Sequence, residues 1–197
     1  MSTTKDIQNR MTPAEALEQL KAGNKRFVNE KGLSRNYNRE ISETAGGQFP
    51  FAAILGCIDS RATAEQLFDQ GVGDLFNARV AGNIVNEDIL GSLEYACHVA
   101  GAKLILVLGH TACGAVTAAT QRVELGNITT LLSKISPVVD SLDGEVAVDE
   151  VAEYNVRHSI ERIRKESAIL KDMELSGDIL IKGAMYDVAT GKVRFLD

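Results

Sequence analysis

From Phe49 onward the chain alternates short, continuous apolar runs with longer stretches whose apolar residues recur at helical spacing. Phe51-Ala52-Ala53-Ile54-Leu55-Gly56 has the length and composition of a strand buried on both faces, and Lys103-Leu104-Ile105-Leu106-Val107-Leu108 is a stronger example. Asp74 to Val80 reads as a further strand. Thr63 to Phe68 reads as a short helix, and Ile89, Leu93, Ala96, Cys97 and Ala100 line one face of a longer one that ends at Gly101. Ala115 to Leu125 is again helical, stopped by Gly126. The last third predicts a helix from Ile128 to Leu142, bent or broken at Pro137, and another from Asp149 to Ser167. Two strands follow, Ile179 to Val188 and Lys192 to Leu196, joined through Ala189-Thr190-Gly191 as a hairpin. Strands alternating with helices require crossover connections, so the fold class is α/β, with a mainly parallel β-sheet flanked by helices.

Ahead of this core, Thr12 can cap a helix, Pro13 suits its first position and Glu15 completes a capping box, so a helix is expected from about Thr12 to Asn29. Glu30 to Gln48 is polar and glycine-bearing and reads as an exposed loop or arm. With no linker, repeat or low-complexity tract, residues 1–197 are expected to form a single domain, 1–48 as N-terminal helix and arm and 49–197 as the α/β core. The balance of 21 Lys plus Arg against 27 Asp plus Glu, a net charge of −6, argues against a broad phosphate-binding surface and hence against nucleic acid as the main partner. Three cysteines are too few for a disulfide framework and point to a reducing compartment. No apolar run is long enough to cross a bilayer, so a soluble cytoplasmic protein without membrane insertion is expected.

The candidate chemistry sits at predicted strand ends. Cys57 follows the first buried strand, His110 follows the strongest one, and Cys113 lies three residues beyond it. Ligands of open α/β sheets bind outside the carboxyl ends of the strands, which brings all three residues to one place. Two thiolates and an imidazole suit Zn²⁺, and three protein ligands leave its fourth position open. Taken singly, a cysteine after a buried strand is a small core hydrophobe and His-x-x-Cys a chance pair. Joint placement makes a metal site an equal alternative. Cys97, on the apolar face of its helix, reads as core, and His98 and His158 have no ligand partner at suitable spacing. In Cys57-Ile58-Asp59-Ser60-Arg61, a bidentate Arg61–Asp59 pair would fix the carboxylate as a hydrogen-bond acceptor beside the metal. An ordinary turn with a solvated arginine accounts for the same residues.

Cys57-x-Asp59-x-Arg61 followed by His110-x-x-Cys113 resembles the β-class carbonic anhydrases. The resemblance runs through Ala81-Gly82-Asn83, Gly91-Ser92-Leu93-Glu94-Tyr95-Ala96 and Cys113-Gly114-Ala115-Val116, strongest between about Gln48 and Ala119. It implies zinc-dependent reversible hydration of carbon dioxide to bicarbonate and a proton. One Zn²⁺ would be held by Cys57, His110 and Cys113, with Asp59 and Arg61 as a catalytic dyad. It also implies a homodimer or homotetramer in which Gln48 reaches the substrate pocket across an interface. Arg79 and Tyr186 match two residues of an inhibitory bicarbonate site found in one subgroup, whereas Ile54 stands in place of that site's tryptophan. Two thiolates cancel the charge of the ion, so activity is expected to rise through the alkaline range. The alternatives are hydrolysis of a CO₂ analogue, carbonyl sulfide or carbon disulfide, and a non-catalytic, zinc-stabilised bicarbonate-binding protein.

Overall fold

The structure, a computed structural model, describes residues 2–197. Four parallel strands and one antiparallel strand form a sheet in the order β2-β1-β3-β4-β5. They are β1 (Ala52–Gly56), β2 (Leu75–Arg79), β3 (Leu104–His110), β4 (Leu180–Tyr186) and β5 (Val193–Phe195). The expected mainly parallel α/β sheet with its C-terminal hairpin is therefore present. The helices are α1 (Lys5–Arg10), α2 (Pro13–Val28), α3 (Tyr37–Thr44), α4 (Ala64–Leu67), α5 (Glu87–Glu94), α6 (Gly114–Thr120), α7 (Gly126–Leu132), α8 (Ser136–Asp140), α9 (Val148–Glu166) and α10 (Ala168–Ser176).

The continuous apolar runs arise because both faces of the sheet are covered. Ala53, Leu55, Ile105, Val107 and Ile181 face one way, against Leu93 of α5, Val156 and Ile160 of α9 and Leu170 of α10. Ala52, Ile54, Leu104 and Leu106 face the other, against Ala16 and Leu20 of α2 and Leu67 of α4. Each fully buried Leu, Ile or Val side chain here contributes about 1.5–3 kcal/mol relative to exposure. The central strand β3 has every residue buried, and α9 lies across β3 and β4 where glycines allow it closest. A Cβ on Gly109 would come 2.5 Å from Val156 Cγ2, and one on Gly183 would come 2.8 Å from Val156 Cγ1. The Val156 side chain thus packs over two glycines of neighbouring strands, and it fixes the height of α9 over the end of β3.

The N-terminal helix forms as its signals predict: Thr12 and Glu15 make the reciprocal capping box, with Pro13 in the first turn. The helix expected over Ile128–Leu142 is likewise broken, but ahead of Pro137: α7 ends at Leu132, and Pro137 sits in the first turn of α8. Three expectations are corrected. The stretch from Glu30 to Gln48 is not simply a loop, since it contains α3, capped by Asn36. Its sequence lacks an apolar stripe because ionic contacts hold it: buried Glu40 pairs with Arg35 and accepts the Val72 N–H, and Asp69 takes Arg26 and Arg35. The helix expected to run to Leu125 ends at Thr120, because Arg122 adopts the left-handed conformation (φ 56°) and Val123 N–H closes back on the Ala118 carbonyl. Gly126 does not stop that helix but begins α7. Beyond Glu94, α5 widens into a π turn over Tyr95–Val99 before Gly101.

Candidate metal centre and active site

Parallel pairing places the ends of four strands side by side: Gly56 registers with Arg79 and Leu108, and His110 with Tyr186. Cys57 leaves the end of β1, His110 is the last residue of β3, and Cys113 caps the N-terminus of α6. Their donor atoms lie within 4.8 Å of one another and all three residues are buried. The predicted trio is therefore brought together.

The chemistry of the three donors fits Zn²⁺. His110 Nδ1 lies 2.9 Å from the Thr111 carbonyl oxygen, which can only accept, so Nδ1 carries the proton and Nε2 presents its lone pair. That Nε2 is buried and has no hydrogen-bond partner among the described residues, a costly state unless a cation fills the space in front of it. The two sulfurs act on each other: the hydrogen bond from Cys113 pulls the Cys57 thiol far below its ordinary value, while Cys57 and burial push that of Cys113 up. A divalent, thiophilic ion stabilises both as thiolates. Gly82 N–H, 3.3 Å from Cys57 Sγ, adds a backbone donor to that sulfur.

Asp59 and Arg61 form the bidentate pair anticipated from the sequence, with Arg61 Nε 2.9 Å from Oδ1 and Nη2 2.6 Å from Oδ2. The Arg61 N–H also donates to Oδ1. These bonds hold the Asp59 carboxyl well below the usual carboxylate range, against a smaller opposing effect of burial. Asp59 Oδ2 is 4.0 Å from His110 Nδ1, which puts an ionised acceptor beside the donor trio. Arg61 is half exposed, so the site opens to solvent on this side.

The loop carrying the pair is braced from two other strands of the sheet. Arg79, at the end of β2, donates to the carbonyls of Cys57 (2.9 Å) and Asp59 (2.6 Å), and Tyr186, at the end of β4, donates to that of Arg61 (3.3 Å). The two residues that match a bicarbonate subsite in sequence are thus engaged with the loop backbone, and Ile54 is buried inside β1. Gln48 lies exposed between α3 and β1, and no side-chain hydrogen bond among the described residues ties it to the trio or to Asp59. Cys97 packs in the core, where burial pushes its thiol up to about 12. His98 is exposed, and half-buried His158 is shifted down by burial and Arg162, apart from the trio.

Residues of α9 also support the site, and the sequence reading did not single them out. Asp149 accepts the N–H of Ala112, a residue at φ 53° between His110 and Cys113. Asn155 and Ser159 donate to the carbonyls of Gly82 and Asn83. The available signal was the presence of these two polar residues within the otherwise apolar stripe of Val151, Ala152, Val156, Ile160 and Ile163.

A parallel sheet ending in an open Cys-His-Cys donor set, with an ion-paired carboxylate at its side, defines a zinc enzyme rather than a closed structural zinc site. A family model described as carbonic anhydrase matches residues 52–193. Carbonic anhydrase 2 of Mycobacterium tuberculosis is 35% identical over 195 residues, covering 94% of this chain and 93% of that protein. The carbonic anhydrase of Mycolicibacterium smegmatis is 36% identical over 190 residues, covering 92% of each. Among solved structures, a tetrameric β-carbonic anhydrase of Sordaria macrospora matches with a TM-score of 0.73 at 25% identity over 93% of this chain and 94% of that one. A β-carbonic anhydrase of Aspergillus fumigatus matches with the same score at 27% identity, over 93% and 90%. The chain belongs to the β-class carbonic anhydrase family.

Proposed function

We propose that this site hydrates carbon dioxide reversibly to bicarbonate and a proton. The observation that carries the reading is the buried Cys57, His110 and Cys113 donor set with the ionised Asp59, clamped by Arg61, two residues from Cys57 and 4.0 Å from the His110 ring. Cys57 Sγ, His110 Nε2 and Cys113 Sγ would hold Zn²⁺, which supplies Lewis acidity that makes water a nucleophile near neutral pH. Asp59, an acceptor only, takes one O–H of the reacting water as a hydrogen bond and so leaves an oxygen lone pair directed at the substrate carbon. Arg61 holds the carboxylate in place with both arms of its guanidinium. One C–O bond forms, one C=O π bond opens, and the released proton leaves to solvent on the exposed Arg61 side. Stopped-flow hydration with a pH indicator on the zinc-loaded protein tests this: activity is expected to rise from neutral to alkaline pH, and its absence above pH 8 would overturn the reading.

A homo-oligomer accounts for features that a single chain leaves open. Strand β2 is a free sheet edge, and beside it Phe76, Ala78, Leu93 and Tyr95 line a cleft of about 540 Å³. Tyr95, Val99 and Ile58 are exposed apolar residues, at 54%, 66% and 61%. A second copy covering this face would bury them and could bring its Gln48 amide to the substrate. Sedimentation equilibrium is expected to give a multiple of 21.2 kDa, and a monomer at micromolar concentration would remove Gln48 from the proposed site. Among the described residues no helix is long and apolar enough to cross a membrane, and all three cysteines are free. Free thiols suit a reducing compartment such as the cytoplasm, and a single five-stranded sheet covered on both faces supports one domain.

A further inference from the structure

We propose that Asn155 is a positioning residue of the metal centre: from α9 it fixes the Gly82 turn so that the Gly82 N–H points at the Cys57 sulfur. The proposal rests on the zinc reading of the Cys-His-Cys site. Asn155 Nδ2 donates to the Gly82 carbonyl at 2.8 Å, and Gly82 N–H in turn lies 3.3 Å from Cys57 Sγ, both bonds being buried. Gly82 holds a left-handed conformation (φ 68°) that glycine adopts freely and other residues adopt only at a cost. A Cβ there would lie 2.6 Å from Ile135 Cδ1, so the turn is pressed between α9 and the segment before α8. The orientation of its peptides is thus set by packing on one side and by the Asn155 amide on the other.

Asn155 is 1% exposed, and its Oδ1 has no partner among the described residues. A buried, unpaired amide oxygen is unfavourable, and an apolar side chain in this stripe would avoid it, so packing alone does not account for asparagine here. Its donor function does. An N–H that donates to a thiolate withdraws electron density from the sulfur and fixes the direction of its lone pairs, which are the two properties by which groups behind a ligand tune a metal site. One turn further along the same helix, Ser159 holds the Asn83 carbonyl at 3.0 Å and provides the natural control. It braces the same turn without bonding the residue that touches sulfur.

The test compares Asn155→Ala, Asn155→Ser and Ser159→Ala with the parent in the zinc and cobalt(II) forms. The readouts are zinc affinity by competition with a chelator, the thiolate-to-cobalt charge-transfer band, and thermal stability. For both Asn155 variants, zinc affinity is expected to fall about tenfold, the usual effect of losing a partner behind a ligand. The charge-transfer band should move to longer wavelength, because a sulfur that loses a donor is more easily oxidised. Ser159→Ala is expected to lower thermal stability while leaving affinity within twofold and the band in place. The proposal is overturned if either Asn155 variant keeps both affinity and band, or if Ser159→Ala moves them equally. A parent protein that binds neither metal would instead contradict the zinc reading itself.

Discussion

Replacing Cys113 with alanine is expected to abolish stoichiometric zinc binding and to reduce CO₂ hydration by roughly 10⁴-fold or more, because enzymatic accelerations are on the order of 10⁶ or larger and this one depends on the ion. Three protein donors are the minimum for an open tetrahedral site, and Cys113→Ala leaves two. Cys113 is 1% exposed at the N-terminus of α6, and among the described residues no further Cys, His, Asp or Glu belongs to the donor group to replace its sulfur. The vacated volume is only a sulfur atom, and the fold, stabilised by two extensive apolar layers, is expected to persist by circular dichroism. Metal analysis of the purified variant, beside its stopped-flow rate, checks the prediction. Full zinc content with parental activity would exclude Cys113 as a ligand.

Substituting Asp59 with asparagine is the second large effect and is expected to separate catalysis from metal binding. Asp59→Asn keeps the shape of the side chain but replaces one acceptor oxygen with an N–H₂ donor, which cannot take a hydrogen bond from the reacting water. It also breaks the bidentate pair with Arg61, whose Nη2 lies 2.6 Å from Oδ2. Loss of a positioned acid–base group lowers rates by about 10²–10⁴-fold, so kcat should fall within this range while zinc content stays at parental level. A variant that hydrates CO₂ as fast as the parent would remove Asp59 from the mechanism. The pH dependence has a defined sign. The folded-state pKa of Asp59 is depressed, so the Asp59–Arg61 contact contributes stability above the unfolded carboxyl value of about 3.9 and loses that contribution as pH falls through the lower folded value. The carboxylate is therefore ionised at all neutral and alkaline pH values, and the expected alkaline rise in activity does not come from Asp59.

The architecture was legible wherever one physical cause dominated locally. β1 and β3 are buried on both faces, so they appear as uninterrupted apolar runs, and α2 shows its start because a capping box is a contact within four residues. The helix α3 was not legible: it has no apolar stripe, and what orders it is contact of Arg35 and Glu40 with the chain around Asp69 and Val72, more than 30 residues away. The end of α6 was misplaced for a related reason, since a left-handed arginine is an uncommon terminator with no compositional signal. At the site, Cys57, His110 and Cys113 stood out because parallel strands bring their carboxyl ends together whatever the intervening sequence. The roles of Arg79 and Tyr186 did not, since they follow from strand register: one end of β2 and one end of β4 face the same loop from opposite sides.

By itself, then, the sequence determined the α/β class and marked the donor trio and the carboxylate–guanidinium pair as candidates, because burial periodicity and short-range spacing are properties of neighbouring residues. Tertiary structure alone decided which His110 nitrogen is free, which backbone N–H meets the Cys57 sulfur, and that α9 holds the loops at both ligand segments. The His110 contact is with the adjacent Thr111; the others are hydrogen bonds between segments 25 to more than 70 residues apart, and only the packed sheet and helix bring their partners within 3.5 Å.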